Sequence, residues 1–227
     1  IIKKILNLKL FYNSVNQYME NIFFLDFETT GLNPYLDNII EVAIKKYDEE
    51  LYYQSLIKPP QLPPGLVKYI PPHITNITNI TDTMIQNEAI SESCAVFNMF
   101  QFILSNSNEG SIYIISHNGT VFDFIIFRKL LNKYLNKRKF TNFNKSFLNR
   151  FIYIDTLLLA KLFLNERSLK QDTLCKMFNI VNGQAHRALG DVRALEGIFK
   201  CLCKGYAKHL EKEENYFIEH KDQIVQN

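Results

Sequence analysis

The stretch Ile22-Phe23-Phe24-Leu25-Asp26-Phe27 constrains the fold most, because it sets a carboxylate inside an apolar run. It reads as a buried strand that ends at the turn Thr29-Thr30-Gly31-Leu32-Asn33-Pro34. An acid in such a run needs a partner, since burying an unpaired charge is prohibitive. Residues two apart on a strand share a face. Ile22, Phe24, Asp26 and Glu28 therefore line one face, with both acids at the C-terminal end, where ligands of α/β sheets tend to bind. Taken alone, the Asp-x-Glu pair could simply meet water at a strand end.

Two further stretches repeat the pattern. Asp123 is the single charge in Val121-Phe122-Asp123-Phe124-Ile125-Ile126-Phe127, although a first-turn acid favoured by the helix dipole explains it equally well in isolation. The preceding His117-Asn118-Gly119 reads as a turn after a buried strand, with Asn118 supporting neighbouring backbone rather than acting as a catalyst. In the helix beginning at Ala188, Leu195, Ile198 and Leu202 follow Asp191 at helical spacing, so Asp191 continues their inward stripe near the helix N-terminus. His186 falls in the loop just before that helix. A surface or capping histidine would be the simpler explanation without Asp191 beside it. Four acids and one histidine form the pattern of a two-metal phosphodiesterase site.

The remaining pattern alternates strands and helices. Asn38–Lys46 and Leu51–Ile57 read as a hairpin of strands, Ser111–Ile115 and Phe151–Ile154 as two more. Ala89–Leu104, Val121–Leu135, Leu157–Phe163, Ser168–Phe178 and Ala188–Lys204 read as helices, with Asp155 capping the third of them rather than binding an ion. The prolines from Pro59 to Pro72 read as an irregular surface loop packed by Leu62, Leu66, Val67 and Ile70. Together these predict one α/β domain with a mixed central sheet flanked by helices.

Composition adds limits more than direction. A hydrophobic content of 47% and 22% charged residues fit a globular domain, and a net charge of +3 is too small to indicate a nucleic-acid partner. Cys94, Cys175, Cys201 and Cys203 have no ligand-like spacing and read as reduced thiols. No apolar run reaches the roughly 20 residues of a membrane span, and lysines interrupt the apolar N-terminus, so no membrane association and an intracellular location are expected.

The motifs resemble those of the DEDDh branch of the DnaQ-like 3′–5′ exonucleases, the family of bacterial proofreading subunits and TREX-type enzymes. Asp26-Phe27-Glu28-Thr29-Thr30-Gly31-Leu32 is similar to the family's first motif, and His117-Asn118-Gly119 with Phe122-Asp123-Phe124 to the second. His186 with Asp191 is similar to the third, with histidine rather than the tyrosine of the sister branch. Ile77-Thr78-Asn79-Ile80-Thr81 and Ile154-Asp155-Thr156-Leu157 resemble other recurrent family segments, and the likeness spans about Ile22 to Phe199. Gly119, Thr120 and Val121 separate His-Asn from Phe-Asp, one residue more than in proofreading subunits, which places the second motif nearer the TREX type.

The resemblance implies a ribonuclease H-like fold, with an N-terminal extension over 1–20, an exonuclease domain over 21–205 and a C-terminal helical tail over 206–227. It implies 3′–5′ hydrolysis of nucleic acid to nucleoside 5′-monophosphates, with DNA as first choice and RNA as alternative. All five site residues are present, which disfavours a non-catalytic binding module. Two divalent ions, Mg²⁺ or Mn²⁺, would be held by Asp26, Glu28, Asp123 and Asp191, with His186 as general base. Thr29, Thr30 and Leu32 would sit against the 3′-terminal nucleotide, with Asn118 nearby. Phe122 would either stack there or belong to the core. A polymerase or replication partner is left open.

One feature is independent of the resemblance. From Phe124 to Ile154 there is no acid, but eight basic residues are interleaved with Tyr134, Phe140, Phe143 and Phe147. Such a mixture suits a single strand through phosphate pairing and base stacking, or is a solvated loop whose aromatic rings pack onto the core.

Overall fold

The structure is a computed structural model that describes residues 19–59, 70–134, 145–183 and 185–224. Its centre is a six-stranded sheet made of β1 (Ile22–Thr29), β2 (Ile39–Lys46), β3 (Tyr52–Lys58), β4 (Ile90–Ser91), β5 (Ile112–Ser116) and β6 (Phe151–Asp155), in the order β4-β3-β2-β1-β5-β6. β1, β2 and β3 pair antiparallel, while β5 joins β1, and β6 joins β5, in parallel. The parallel half needs crossover helices, and the long segments between these strands supply them. The sheet is mixed, as the sequence predicts.

Alternation along β1 sorts its side chains between two cores. Phe23, Leu25 and Phe27 pack beneath α3 (Glu92–Ser105) and α4 (Asp123–Tyr134). Ile22 and Phe24 face the other way, onto Ala188, Leu189, Val192, Leu195 and Phe199 of the long helix α8 (Ala188–Ile224). A strand covered on both faces must be apolar nearly throughout. Besides Thr29 at its very end, the exceptions are Asp26 and Glu28, which lie on the α8 face at the C-terminal end. A second cluster on α8 (Ala194, Ile198, Leu202) meets α6 (Thr156–Phe163) and α7 (Gln171–Met177). α8 is also tied to the β2–β3 hairpin by charge: the Lys45 ammonium, 2% exposed, lies 2.7 Å from Glu196, which also pairs with Lys200.

Several boundaries move. Two helices absent from the sequence reading follow the proline-rich stretch: α1 (Pro72–Thr78), opened by a proline in its first turn, and α2 (Asp82–Glu88), capped by the Thr81 side chain. Residues 60–69, with Pro60, Pro63, Pro64, Leu62, Leu66 and Val67, lie outside the described residues, as do residues 1–18 of the expected N-terminal extension. Helix α3 begins after a two-residue strand at Ile90–Ser91, and α4 is preceded by a 3₁₀ turn over Gly119–Val121. The expected terminal helix continues through the expected tail as far as Ile224, and residues 225–227 lie outside the described residues. A four-residue helix, α5 (Lys145–Leu148), precedes β6.

The basic aromatic segment is described only in part. Lys137, Arg138, Lys139, Phe140 and Phe143 lie outside the described residues. Of the others, Arg128 lies over the Tyr153 ring and Lys133 pairs with Glu92. Arg150 donates to the carbonyls of Gly110 and Asn108, and Tyr134 and Phe147 are buried in the core. The packing of rings onto the core, one of the two readings of this segment, is met by Tyr134 and Phe147.

Candidate active site

The acids of the first and third stretches converge. β1 delivers Asp26 and Glu28, and the first turn of α8 delivers Asp191. One carboxylate oxygen from each lies within 4.8 Å of the other two. Asp123, at the start of α4, is 3% exposed, and its Oδ1 accepts the Phe27 N–H at 3.2 Å, which fixes it beside the same strand end. All four acids line one open cavity of about 1020 Å³. Hard oxygen donors at this spacing suit a divalent cation of the Mg²⁺ class.

Electrostatics point the same way. Burial, reinforced by the negative charges of Asp123, Glu28, Asp191 and Glu41, holds the Asp26 carboxyl well above its usual range. Burial, with Asp191, Glu41 and Asp123, pushes Glu28 up to about 8, against a pull downward from Arg187. Burial pushes Asp123 up to about 7, and raises Asp191 despite donors from Asn182 and the His186 backbone. Carboxyls crowded together and desolvated ionise readily only when positive charge enters among them. The donor set therefore fits a metal centre.

Side chains that the motifs did not single out hold these acids in place. Gln171 donates to both the carbonyl and Oδ1 of Asp191, at 3.0 and 3.1 Å, and Asn182 donates to Oδ1 at 2.9 Å. Glu41, opposite Glu28 across the β1–β2 ladder, is fully buried. It accepts two bonds from Arg187 (2.7 and 3.2 Å), one from Gln54 (2.8 Å) and one from the Ala188 N–H (3.0 Å). That carboxylate anchors the start of α8, and with it Asp191, to the strand next to Asp26. Its signal was present in the sequence, as a lone acid in Ile39-Ile40-Glu41-Val42-Ala43-Ile44.

Asp155 caps α6 through the Leu157 N–H and also accepts from the backbone of Asn118 and Thr120. It is the cap that the sequence predicts, and it shapes the turn leading to Asp123. His117 bridges Thr156 Oγ1 and the Leu169 carbonyl, each at 2.9 Å, and burial lowers its pKa. A neutral ring at this point moors the segment before α7 against the cavity.

The other expected residues divide. His186 is exposed, lines the cavity, and has a left-handed backbone (φ 62°), which is uncommon outside glycine and asparagine. Asn118, also left-handed at φ 61°, lines the cavity, as do Leu32 and Phe122. Phe122 packs in addition against the core, the setting expected as the alternative to stacking. Thr29 and Thr30 do not line the cavity. Their hydroxyls serve the turn, Thr29 donating to the Gly31 carbonyl at 2.5 Å and Thr30 to Asp37 at 3.3 Å. Gly119 is required by space: a Cβ there would lie 2.7 Å from the Ser116 Cβ and 2.8 Å from the Phe124 ring.

Comparison with known proteins agrees with this geometry. The RNase T family model, described as exonuclease, matches residues 23–199. The chain is 34% identical over 191 residues to a PolC-type DNA polymerase III from Thermotoga petrophila, covering 82% of this chain and 12% of that protein. It is 27% identical over 189 residues to the exonuclease DPD1, chloroplastic/mitochondrial, from Arabidopsis thaliana, covering 78% of this chain and 54% of that one. Escherichia coli exonuclease I, solved with a dT13 oligonucleotide, superposes with a TM-score of 0.63 at 20% identity, over 88% of this chain and 43% of that one. That likeness shows the ribonuclease H-like fold. The chain thus spans only a small part of the polymerases it matches.

Proposed function

Because the chain belongs to the RNase T exonuclease family, we propose that it is a metal-dependent 3′–5′ exonuclease releasing nucleoside 5′-monophosphates from single-stranded or frayed DNA. The observation that carries this is the convergence of Asp26, Glu28 and Asp191 within 4.8 Å, with buried Asp123 on the same cavity. The choice of DNA is supported by relatives named DNA polymerases and by the oligodeoxynucleotide bound to exonuclease I. The same relatives support a role beside a polymerase.

Asp26, Glu28, Asp123 and Asp191 would hold two divalent ions, Mg²⁺ or Mn²⁺. Such ions, when bound, lower the pKa of the attacking water and offset charge on the phosphate. His186, exposed at the cavity, would serve as the general base toward the attacking water. Leu32, Phe122 and Asn118 border the space for the terminal nucleotide, while Thr29 and Thr30 act by shaping the turn beneath Leu32. Gln171, Asn182 and Glu41 position the carboxylates and leave the chemistry to them.

The test offers 5′-labelled single-stranded DNA and matching RNA to the wild type, Asp191→Ala and His186→Ala, in Mg²⁺ or EDTA. The expected result is a metal-dependent ladder shortening from the 3′ end, faster on DNA. His186→Ala should slow it about 10²–10⁴-fold, and Asp191→Ala should abolish it. Binding without cleavage in Mg²⁺ and in Mn²⁺ would refute the hydrolytic role, and faster RNA cleavage would reassign the substrate.

A further inference from the structure

The loop joining β1 to β2 is held by its own polar side chains and leaves its apolar ones in water. Its polar side chains bond back to its own backbone and fix its shape: Asn33 Oδ1 accepts the Tyr35 N–H at 3.0 Å, and Asp37 Oδ2 accepts the Asn33 N–H at 2.8 Å. Thr30 accepts the Asn38 N–H at 3.0 Å and donates to Asp37, whose carboxylate occupies the space beside Gly31 where a Cβ would stand. From outside, Lys129 on α4 donates to the carbonyls of Pro34 (2.7 Å) and Tyr35 (2.9 Å), with its ammonium 5.9 Å from the centre of the Tyr35 ring. The apolar side chains take no part in this network. Leu32, Tyr35 and Leu36 are 90%, 65% and 79% exposed.

A loop held this firmly while presenting three large apolar side chains to water is shaped for an apolar ligand face. Leu32 also lines the acidic cavity, so the loop meets the candidate active site at that residue. A flat ring, two aliphatic side chains and a cation near the ring match unstacked nucleobases on a phosphate chain. We propose that Tyr35 and Leu36, on the loop tethered by Lys129, form a platform for the bases immediately 5′ of the terminal nucleotide in Leu32's pocket. This rests on the exonuclease reading above. A base paired in a duplex keeps its faces stacked on its neighbours, so the platform favours unpaired 3′ ends.

Two substrates separate the platform from the catalytic site. The p-nitrophenyl ester of thymidine 5′-monophosphate carries one nucleotide and cannot reach the platform, whereas a single-stranded oligodeoxynucleotide can. In Tyr35→Ala/Leu36→Ala, the ratio of kcat/KM for the oligonucleotide to that for the ester should fall about 5- to 100-fold, the value of roughly one lost stack. Lys129→Met keeps the apolar side chains but frees the loop, and should move the ratio the same way by less. An oligonucleotide abasic at the two positions before its 3′ terminus should lose a similar factor with the wild type and little more with the double variant. A ratio unchanged by the double variant, or an abasic penalty as large in the variant as in the wild type, would overturn the platform. If the wild type cleaves neither substrate, the exonuclease reading fails by itself. Fluorescence anisotropy of the labelled oligonucleotide in EDTA then judges the platform: a similar weakening of binding in the double variant supports it, and unchanged binding overturns it.

Discussion

Glu28→Gln should make the metal-free protein more stable while removing its response to metal. Its carboxyl is pushed from the ordinary 4.5 up to about 8, first by burial and then by Asp191, Glu41 and Asp123. The folded protein thus keeps a proton on Glu28 at pH values where the unfolded chain has lost it. Its stabilising contribution is complete below about pH 4.5 and is lost as the pH rises toward about 8. At 1.36 kcal/mol per pH unit, the displacement bounds the loss at about 5 kcal/mol. Water reaching the half-buried side chain reduces that to roughly 1–3 kcal/mol. For a chain of this size each kcal/mol moves Tm by about 2–4 °C. Thermal melts in EDTA should therefore show the wild type losing Tm between about pH 5 and about pH 9, and Glu28→Gln melting about 3–10 °C higher than wild type at the upper pH. Mn²⁺ should raise the wild-type Tm there and leave the variant nearly unmoved. A variant that melts lower in EDTA at high pH, or gains as much from Mn²⁺ as the wild type, refutes the reasoning.

Two further substitutions probe the frame around the acids. Glu41→Gln keeps the shape but turns an amide toward donors from Arg187 and Ala188, so α8 loses its anchor. The expected cost is about 10–100-fold in kcat or in apparent metal affinity, read from Mn²⁺ dependence of cleavage; an unaltered metal response contradicts the anchoring role. Gly119→Ala places a methyl 2.7 Å from the Ser116 Cβ. Overpacking of that kind costs about 1–3 kcal/mol, so calorimetry should show a clear fall in Tm, and an unchanged Tm would mean the turn has room to give.

What the sequence revealed was whatever depends on local pattern. The alternation of β1 identified which face carries Asp26 and Glu28, and the spacing after Asp191 identified the buried stripe Leu195, Ile198 and Leu202, all of which are buried. Glu41 was missed although it carries the same signature as Asp26, because its partner Arg187 lies 146 positions away and only the tertiary fold joins them. Gln171 and Asn182 show nothing in the sequence, since their importance is purely a matter of what they reach. The helix Pro72–Thr78 was hidden by reading its prolines as irregular, when a proline is well suited to a first turn. The basic residues after Phe124 left two readings open for a related reason: charge content does not show that Lys133 and Arg150 already have partners within the fold.

The most direct test counts metal ions. Metal-free protein titrated with Mn²⁺ and followed by electron paramagnetic resonance, with thymidine 5′-monophosphate present, should bind about two ions per chain, as a two-metal site requires. Asp26→Asn, which removes the carboxylate at the centre of the cluster, should bind fewer and more weakly. Absence of saturable Mn²⁺ binding in the wild type, or the same binding in Asp26→Asn, would contradict the claim that these carboxylates form the metal centre of a nuclease.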